Sequence, residues 1–290
     1  MNEPRQTWSV CFQAFGLAVV NFCCRAHVER EGLEEPNPTN SIVLVRRGVF
    51  GRSRRGDTVL ADANHVLFFN AGEPYRYSHP VPGGDDCTIV TVEPHRALEL
   101  VARHAPGDAE DAHAPFRWGH ALSDTHLATL HYEMLRLVAH GGGRLVMEDA
   151  LLELADESIG ACYRSGGSLA YREPPSRHAA RRRRDLIESV KLAVNERLDS
   201  PPSLGELAAG CDCSPFHLSR TFRETVGVSL RRYVSRLRTR VAADHLTRGP
   251  RDLTRLALEL GFADHSHFTS TFRREWGVPP SRFRARLGPR

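Results

Sequence analysis

Residues 204–233 and 253–283 carry one pattern twice. Leu218 and Phe268, Phe222 and Phe272, Gly227 and Gly277, Val228 and Val278, and Tyr233 and Phe283 each pair at an offset of 50. Upstream, Leu204, Leu207 and Ala208 pair with Leu253, Leu256 and Ala257 at an offset of 49, so the second copy is one residue longer, at Gly261-Phe262. Such a repeat must fold into one supersecondary unit twice over. Each copy reads as a short helix, a tight turn and a longer second helix. Ser203-x-x-Glu206 is a capping box that opens the first short helix. Ser214 is an N-cap with Pro215 at the first helical position, and Asp264 caps the equivalent helix of the second copy. Gly227 and Gly277 stand where a left-handed C-terminal residue is wanted. Both copies are therefore expected to be helix-turn-helix units.

Between the units, Ser229–Leu246 carries an apolar stripe of Leu230, Tyr233, Val234, Leu237 and Val241. Eighteen helical residues span ~27 Å. A rod of that length can hold two reading heads roughly one DNA turn (about 34 Å) apart. In a helix-turn-helix the second helix enters the major groove with its N-terminal residues near base edges. One chain can then read two adjacent groove segments, so its site would be asymmetric instead of palindromic. Ahead of the repeat, Ile187, Val190, Leu192, Val194 and Leu198 mark a further helix from Asp185, which Asp199-Ser200-Pro201-Pro202 stops.

Charge agrees with a polyanionic partner for this region only. The chain's net charge of +4 divides unevenly: His178 to Arg290 holds 22 basic and 12 acidic residues, a net +10, and the rest is net −6. A basic region on an acidic body is the footprint of nucleic-acid binding. Of the basic residues only Lys191 is lysine, to which no function is attached.

Leu218-Ser219-Arg220-Thr221-Phe222, Gly227, Tyr233, Arg238-x-x-x-Ala242-x-x-x-Leu246, Leu256-Ala257, Gly261-Phe262, Phe268, Phe272, Gly277 and Pro280-Ser281-x-Phe283-Arg284 resemble the AraC/XylS family of bacterial transcription regulators. The likeness covers residues 185–287. It implies a seven-helix DNA-binding domain behind a variable sensing or dimerising domain. It places Phe216, Ser219 and Arg220 on the first recognition helix. On the second it places His265, Ser266, His267, Thr269 and Ser270. Arg220 is the strongest base reader among them, because arginine bonds guanine bidentately. Where this chain has Ser270 the family commonly has Arg, so the second helix is expected to contribute mostly phosphate contacts, through Thr269, Arg273 and neighbours. Leu218, Phe222, Phe268, Phe272 and Trp276 read as core. His217, next to Leu218, reads as partly buried or bonded to backbone. Arg181–Arg184 suits either phosphate contact or a solvated linker.

The N-terminal half reads differently. Ser41–Phe50, Val59–Ala61, His65–Asn70 and Cys87–Glu93 are short β-branched or aromatic runs. Gly56-Asp57, Asp62-Ala63-Asn64, Gly72-Glu73-Pro74 and Pro82-Gly83-Gly84-Asp85 separate them, the rhythm of a small β-barrel or sandwich. Ser123–His140 and Leu145–Tyr163 follow as amphipathic helices around Gly141-Gly142-Gly143, a helical hairpin. Its apolar face either dimerises the chain or covers the barrel. This half resembles the cupin-like sensing domains attached to many such regulators. Tyr75, Arg76 and His79 are candidates for an effector pocket, against ordinary barrel residues. Cupin enzymes hold metal with a His-x-His pair, which is absent here, and His65 and His79 are isolated in sequence, so no metal and no cofactor are expected. Seven scattered Cys form no disulfide framework. Cys23-Cys24 does not make the separated pairs of the zinc-holding, methyl-accepting domain that some family members carry.

The expected fold class is α+β: an N-terminal cupin-like β-barrel with a helical hairpin, then an all-α domain of seven helices with two helix-turn-helix units. The expected boundaries are 1–165 for sensing or dimerisation, 166–184 for a linker and 185–287 for DNA binding. Double-stranded promoter DNA is the expected partner, with RNA polymerase, a small-molecule effector and a second copy of the chain as further ones. No run approaches 18 apolar residues, so no membrane span is expected. Ser9–Cys24 reads as folded structure instead of a signal, which points to the cytoplasm. The reading is a transcription regulator, activation included, and not an enzyme. The alternative is a cupin-like metal enzyme with a DNA-localising tail.

Overall fold

A computed structural model describes residues 6–25, 32–54, 57–164, 177–249 and 252–287. The chain forms two compact units, one of residues 1–168 with 284–290 and one of residues 169–283. The expected turn at Gly56 and the Gly- and Pro-bearing stretch 166–176 of the expected linker lie outside the described residues.

The first unit opens with a hairpin that strand rhythm missed, β1 (Gln6–Ala14) and β2 (Leu17–Cys24). Ala14 pairs with Leu17 across the two-residue turn Phe15-Gly16, both at positive φ, the geometry that matches strand twist. Then come β3 (Glu35–Pro36), β4 (Asn40–Gly48), β5 (Phe50–Arg54), β6 (Asp57–Ala61), β7 (His65–Phe69), β8 (Pro74–Ser78), β9 (Asp85–Val92) and β10 (His120–Leu122). They do not close into one barrel, which corrects the expected cupin-like barrel. One sheet runs β1-β2-β9-β4-β7-β10 and a second runs β3-β8-β5-β6. Among the described residues each sheet keeps two edges, β1 and β10 on the larger and β3 and β6 on the smaller, and no ladder joins one sheet to the other. The register of β4 shifts between Val45 and Arg47 before the chain passes to the second sheet, a bulge that bends the strand.

Both faces of the larger sheet are buried at its inner strands β9, β4 and β7, while β1 is mostly exposed. On β4, Val43 and Val45 join Val20, Leu67, Cys87 and Ile89 in a core shared with Phe50 and Val59 of the smaller sheet. Ile42 and Leu44 point the other way, toward helices. Two-sided burial explains why β4 reads as a continuous apolar run without alternation. The helices on that second face are α1 (Pro94–His104), α2 (Thr125–His140) and α3 (Arg144–Arg164). The hairpin of α2 and α3 turns at Gly141, whose φ is 71°. Leu127, Met134, Leu137, Leu151, Leu154 and Ile159 join the sheet's core, so the apolar face covers the sheet.

The rest of the described chain is helical: α4 (Arg177–Glu196), α5 (Leu204–Gly210), α6 (Pro215–Val226), α7 (Leu230–Thr247), α8 (Leu253–Glu259), α9 (His265–Trp276) and α10 (Pro280–Leu287). Helix α4 starts eight residues before the expected Asp185. The basic run Arg181–Arg184 therefore sits on a helix and not in a linker, because no breaker separates it from the apolar periodicity that follows. Buried Leu218, Phe222, Leu256, Phe268 and Phe272 form the interior of the repeat. Phe222 meets Tyr233 edge-on at 5.5 Å, and Phe272 stacks on Trp276 at 5.7 Å.

Candidate nucleic-acid interface

The termini of the short helices set each unit. Glu206 N donates to Ser203 Oγ at 3.3 Å, and Ser203 N donates to Glu206 Oε2 at 2.7 Å. These Ser203 bonds start α5 and hold the Glu206 carboxyl below its usual range. Residues 211–214 make the first turn, with Asp212 at φ 50°. Ser214 Oγ then accepts from His217 N at 3.1 Å and starts α6. In the second unit Asp252 Oδ1 accepts from Thr254 N at 2.8 Å. The second turn, 260–264, is one residue longer, as the change of offset requires. Asp264 Oδ1 accepts from His267 N at 2.7 Å and starts α9. Gly261, at φ 73°, sits in the second turn, and a Cβ there would lie 1.7 Å from the Asp199 carbonyl oxygen.

Arg238 of α7 fastens that turn. Its Nε donates to Leu198 O at 3.0 Å, Nη2 to Asp199 O at 3.1 Å and Nη1 to Gly261 O at 2.8 Å. The guanidinium also lies 5.7 Å from the Phe262 ring centre, a cation–π contact. Burial draws its pKa below the ordinary arginine value. Sequence reading placed Arg238 in the family motif and missed this work.

One face of α6 is core and the other is open. Leu218, Thr221, Phe222 and Val226 are buried, and Phe216 is 77% exposed. Ser219, Arg220 and Arg223 are exposed beside it. Arg220 Nε donates to Glu224 Oε1 at 2.8 Å, one helical turn on. That bond aligns the guanidinium along the helix and does not use its Nη groups, which a guanine edge can engage. His217, expected to be partly buried, is exposed, with Nε2 3.5 Å from Thr221 Oγ1. Its position three residues before Arg220 is the helical spacing that puts it on the open face.

Helix α9 repeats the division. Phe268, Thr271, Phe272 and Trp276 are buried, while His265, Ser266, His267, Ser270 and Arg273 are exposed. Ser270 Oγ donates to the His267 carbonyl at 3.0 Å, a bond within its own helix. Thr269 is half-buried, and its hydroxyl oxygen is enclosed with no hydrogen-bond partner among the described residues. Between the two heads lies a groove of about 410 Å³, lined by Ser219, Ser229, Arg231, Arg238, His267 and Arg274 among others. Arg238 is held by its carbonyl partners, and Arg231, Arg274 and the two hydroxyls are donors of the kind that suit a phosphate backbone, beside apolar Leu204, Leu207 and Val234.

Tyr75, Arg76 and His79 belong to the first unit. Tyr75, Tyr77 and His79 line a cavity of about 300 Å³ between the sheets, together with Trp8, Phe22 and Phe69. Arg76 does not: alternation along β8 turns it outward, where it is exposed and lies 3.4 Å from Glu34. His79 Nε2 lies 2.6 Å from Asp85 Oδ1. Burial opposes charge on His79, but its bonds to Asp85 and Cys24, with the carboxylate's charge, raise its pKa to about 9.

The helix-turn-helix domain family matches residues 207–286, which span both turns and both exposed helices. This region is an AraC-type helix-turn-helix domain. Similar proteins include the bifunctional transcriptional activator/DNA repair enzyme AdaA of Bacillus subtilis, 32% identical over 100 residues that cover 34% of this chain and 47% of AdaA. The regulatory protein SoxS of Salmonella typhimurium is 29% identical over 102 residues, 35% of this chain and 95% of SoxS. The chain thus spans about half the length of AdaA and nearly all of SoxS. Among solved structures, ToxT of Vibrio cholerae aligns with 94% of this chain and 98% of its own at 10% identity and a TM-score of 0.35. No described helix is long and apolar enough to cross a membrane.

Proposed function

We propose that this chain is a sequence-specific regulator of transcription that reads two adjacent major-groove segments of promoter DNA with one AraC-type domain. The observation that carries the reading is the pair of capped helices with open N-terminal faces, α6 and α9, joined by the 18-residue α7. Arg220 reads a base on the first segment, flanked by Phe216, His217 and Ser219. On the second segment His265, Ser266, His267 and Ser270 offer shorter polar groups, and Arg273 neutralises phosphate. The domain of seven helices, 185–287, supplies DNA binding with α4 reaching back toward 177. The part up to 165 supplies sensing or dimerisation, with the cavity between the sheets as the effector pocket through Tyr75 and His79. We carry activation over from AdaA, whose name states it. Regulation without catalysis is the role proposed for the chain, with RNA polymerase as the partner that activation requires.

Selection of bound fragments from sheared genomic DNA at fixed physiological salt tests this, with wild type and Arg220→Ala in parallel. The expected product is an asymmetric motif of two blocks about one turn apart. Arg220→Ala should lower affinity for that motif on the order of tenfold and affinity for bulk DNA much less. Equal losses on both DNAs would remove Arg220 from base reading. No enrichment for wild type would remove sequence specificity.

A further inference from the structure

Three donors from separate segments of the chain meet beside the cavity between the sheets, which His79 and Asp85 also line. Cys24 ends β2 and Asp85 begins β9, and the two residues stand directly opposite in the antiparallel ladder. His79 arrives from the other sheet, just past β8. The Cys24 thiol, a His79 ring nitrogen and an Asp85 carboxylate oxygen all lie within 4.8 Å of one another, and all three residues are buried. The surroundings hold them in place. Cys87 Sγ donates to Asp85 Oδ2 at 3.0 Å and so fixes the carboxylate. Arg25 Nη1 donates to the Cys24 carbonyl at 3.0 Å and the Asp85 carbonyl at 3.3 Å, tying the two strand ends together. Gly84, at φ 67°, leaves space for this approach, since a Cβ there would sit 2.0 Å from the Cys24 carbonyl oxygen.

We propose that Cys24, His79 and Asp85 bind a zinc-class divalent ion. The donor set is one sulfur, one nitrogen and one oxygen, the mixture that zinc accepts and that magnesium and calcium reject. Once deprotonated, the Cys24 thiolate and the Asp85 carboxylate carry two negative charges in a buried place, and a divalent ion in place of the departing protons neutralises both. Zinc takes sulfur at about 2.3 Å and nitrogen or oxygen at about 2.0 Å in a tetrahedron. Donors already gathered this closely need move by only about 1 Å. On binding, the Cys24 thiol proton and any proton on the His79 nitrogen that ligates leave to solvent. Three protein ligands leave the fourth position to water or to a donor atom of a small molecule in the cavity. His79 therefore has a place in the effector pocket beyond lining it. The absent His-x-His pair did not predict this set, because its members come from three separate segments. The inference stands apart from DNA reading, and either can fail alone.

The test uses the full chain, stripped of metal with a chelator and titrated with zinc against a chromophoric competitor, then with cobalt(II) for its spectrum. One equivalent of zinc should bind with sub-micromolar affinity. The cobalt form should show thiolate-to-metal charge transfer and the intense visible bands of four-coordinate cobalt. Cys24→Ser and His79→Gln should each weaken binding at least about 100-fold, while Cys211→Ser with Cys213→Ser should leave it unchanged. Circular dichroism checks that the variants fold. If either does not, the wild-type cobalt spectrum decides alone. No stoichiometric binding, a cobalt spectrum without the thiolate band, or wild-type affinity in folded Cys24→Ser and His79→Gln overturns the proposal.

Discussion

Arg238 and Arg220 are both arginines of the DNA-binding unit, and their surroundings give them opposite work. Arg238 spends its donors on three backbone carbonyls from two loops. Hydrogen bonds from a charged donor are among the stronger ones, and truncation removes all three from these half-exposed carbonyls at once. Arg238→Ala should lower unfolding free energy by about 3 kcal/mol, read from urea midpoints. A loss within error would mean that the loops hold themselves. Arg220 is instead an exposed group tethered to Glu224. If the tether aims the guanidinium, Glu224→Gln should tighten binding to all DNA through the lost negative charge. It should also narrow the gap between selected and scrambled sites. Affinity measurements on both DNAs decide, and an unchanged ratio would leave Glu224 without a positioning role.

At the scale of elements, the repeat is a matter of where helices begin. Each recognition helix has a side-chain cap that accepts from the third backbone N–H, Ser214 for α6 and Asp264 for α9. Loss of such a cap costs about 1 kcal/mol. Ser214→Ala and Asp264→Ala should each cost that much in denaturant unfolding, and the double variant should cost about the sum, since the caps lie in different units. The exposed N-terminal residues depend on these caps for their aim. Both variants should therefore also weaken binding to the selected motif. Full DNA affinity alongside lost stability would separate cap from recognition. In the first unit, the same scale explains the open sheets. Two sheets that keep their own edges, the larger helix-covered on one face, stand in place of a closed barrel.

At the scale of the whole molecule, one rod carries two heads. Helix α7 has 18 residues, ~27 Å of stiff spacing. A DNA site with about 5 base pairs inserted between its two blocks turns the second block to the far side of the duplex. Affinity for that site should fall to that of a single block, and insertion of a whole turn should not restore it, because the rod cannot stretch. Retained affinity after the half-turn insertion would mean that only one head reads. The net +10 from His178 onward sets a second expectation. Log affinity should fall linearly with log salt, on selected and bulk DNA alike.

Local physics decided what could be read from the residues alone. Helical period, capping side chains and glycines at left-handed positions act over a few residues, so the repeat, both turns and most of the exposed face of each second helix were legible. The longer second turn followed from a one-residue change of offset. Tertiary structure decided what depends on distant partners. Phe262 and three loop carbonyls claim Arg238, and His217 turns out to the open face. Strand pairing joins Cys24 to Asp85 across 61 positions of sequence, and β8 then adds His79. Strand register is fixed by which faces bury together, and no window of neighbouring residues contains that information. The same reason hid the two-sheet architecture behind a rhythm of short strands that fits a barrel equally well.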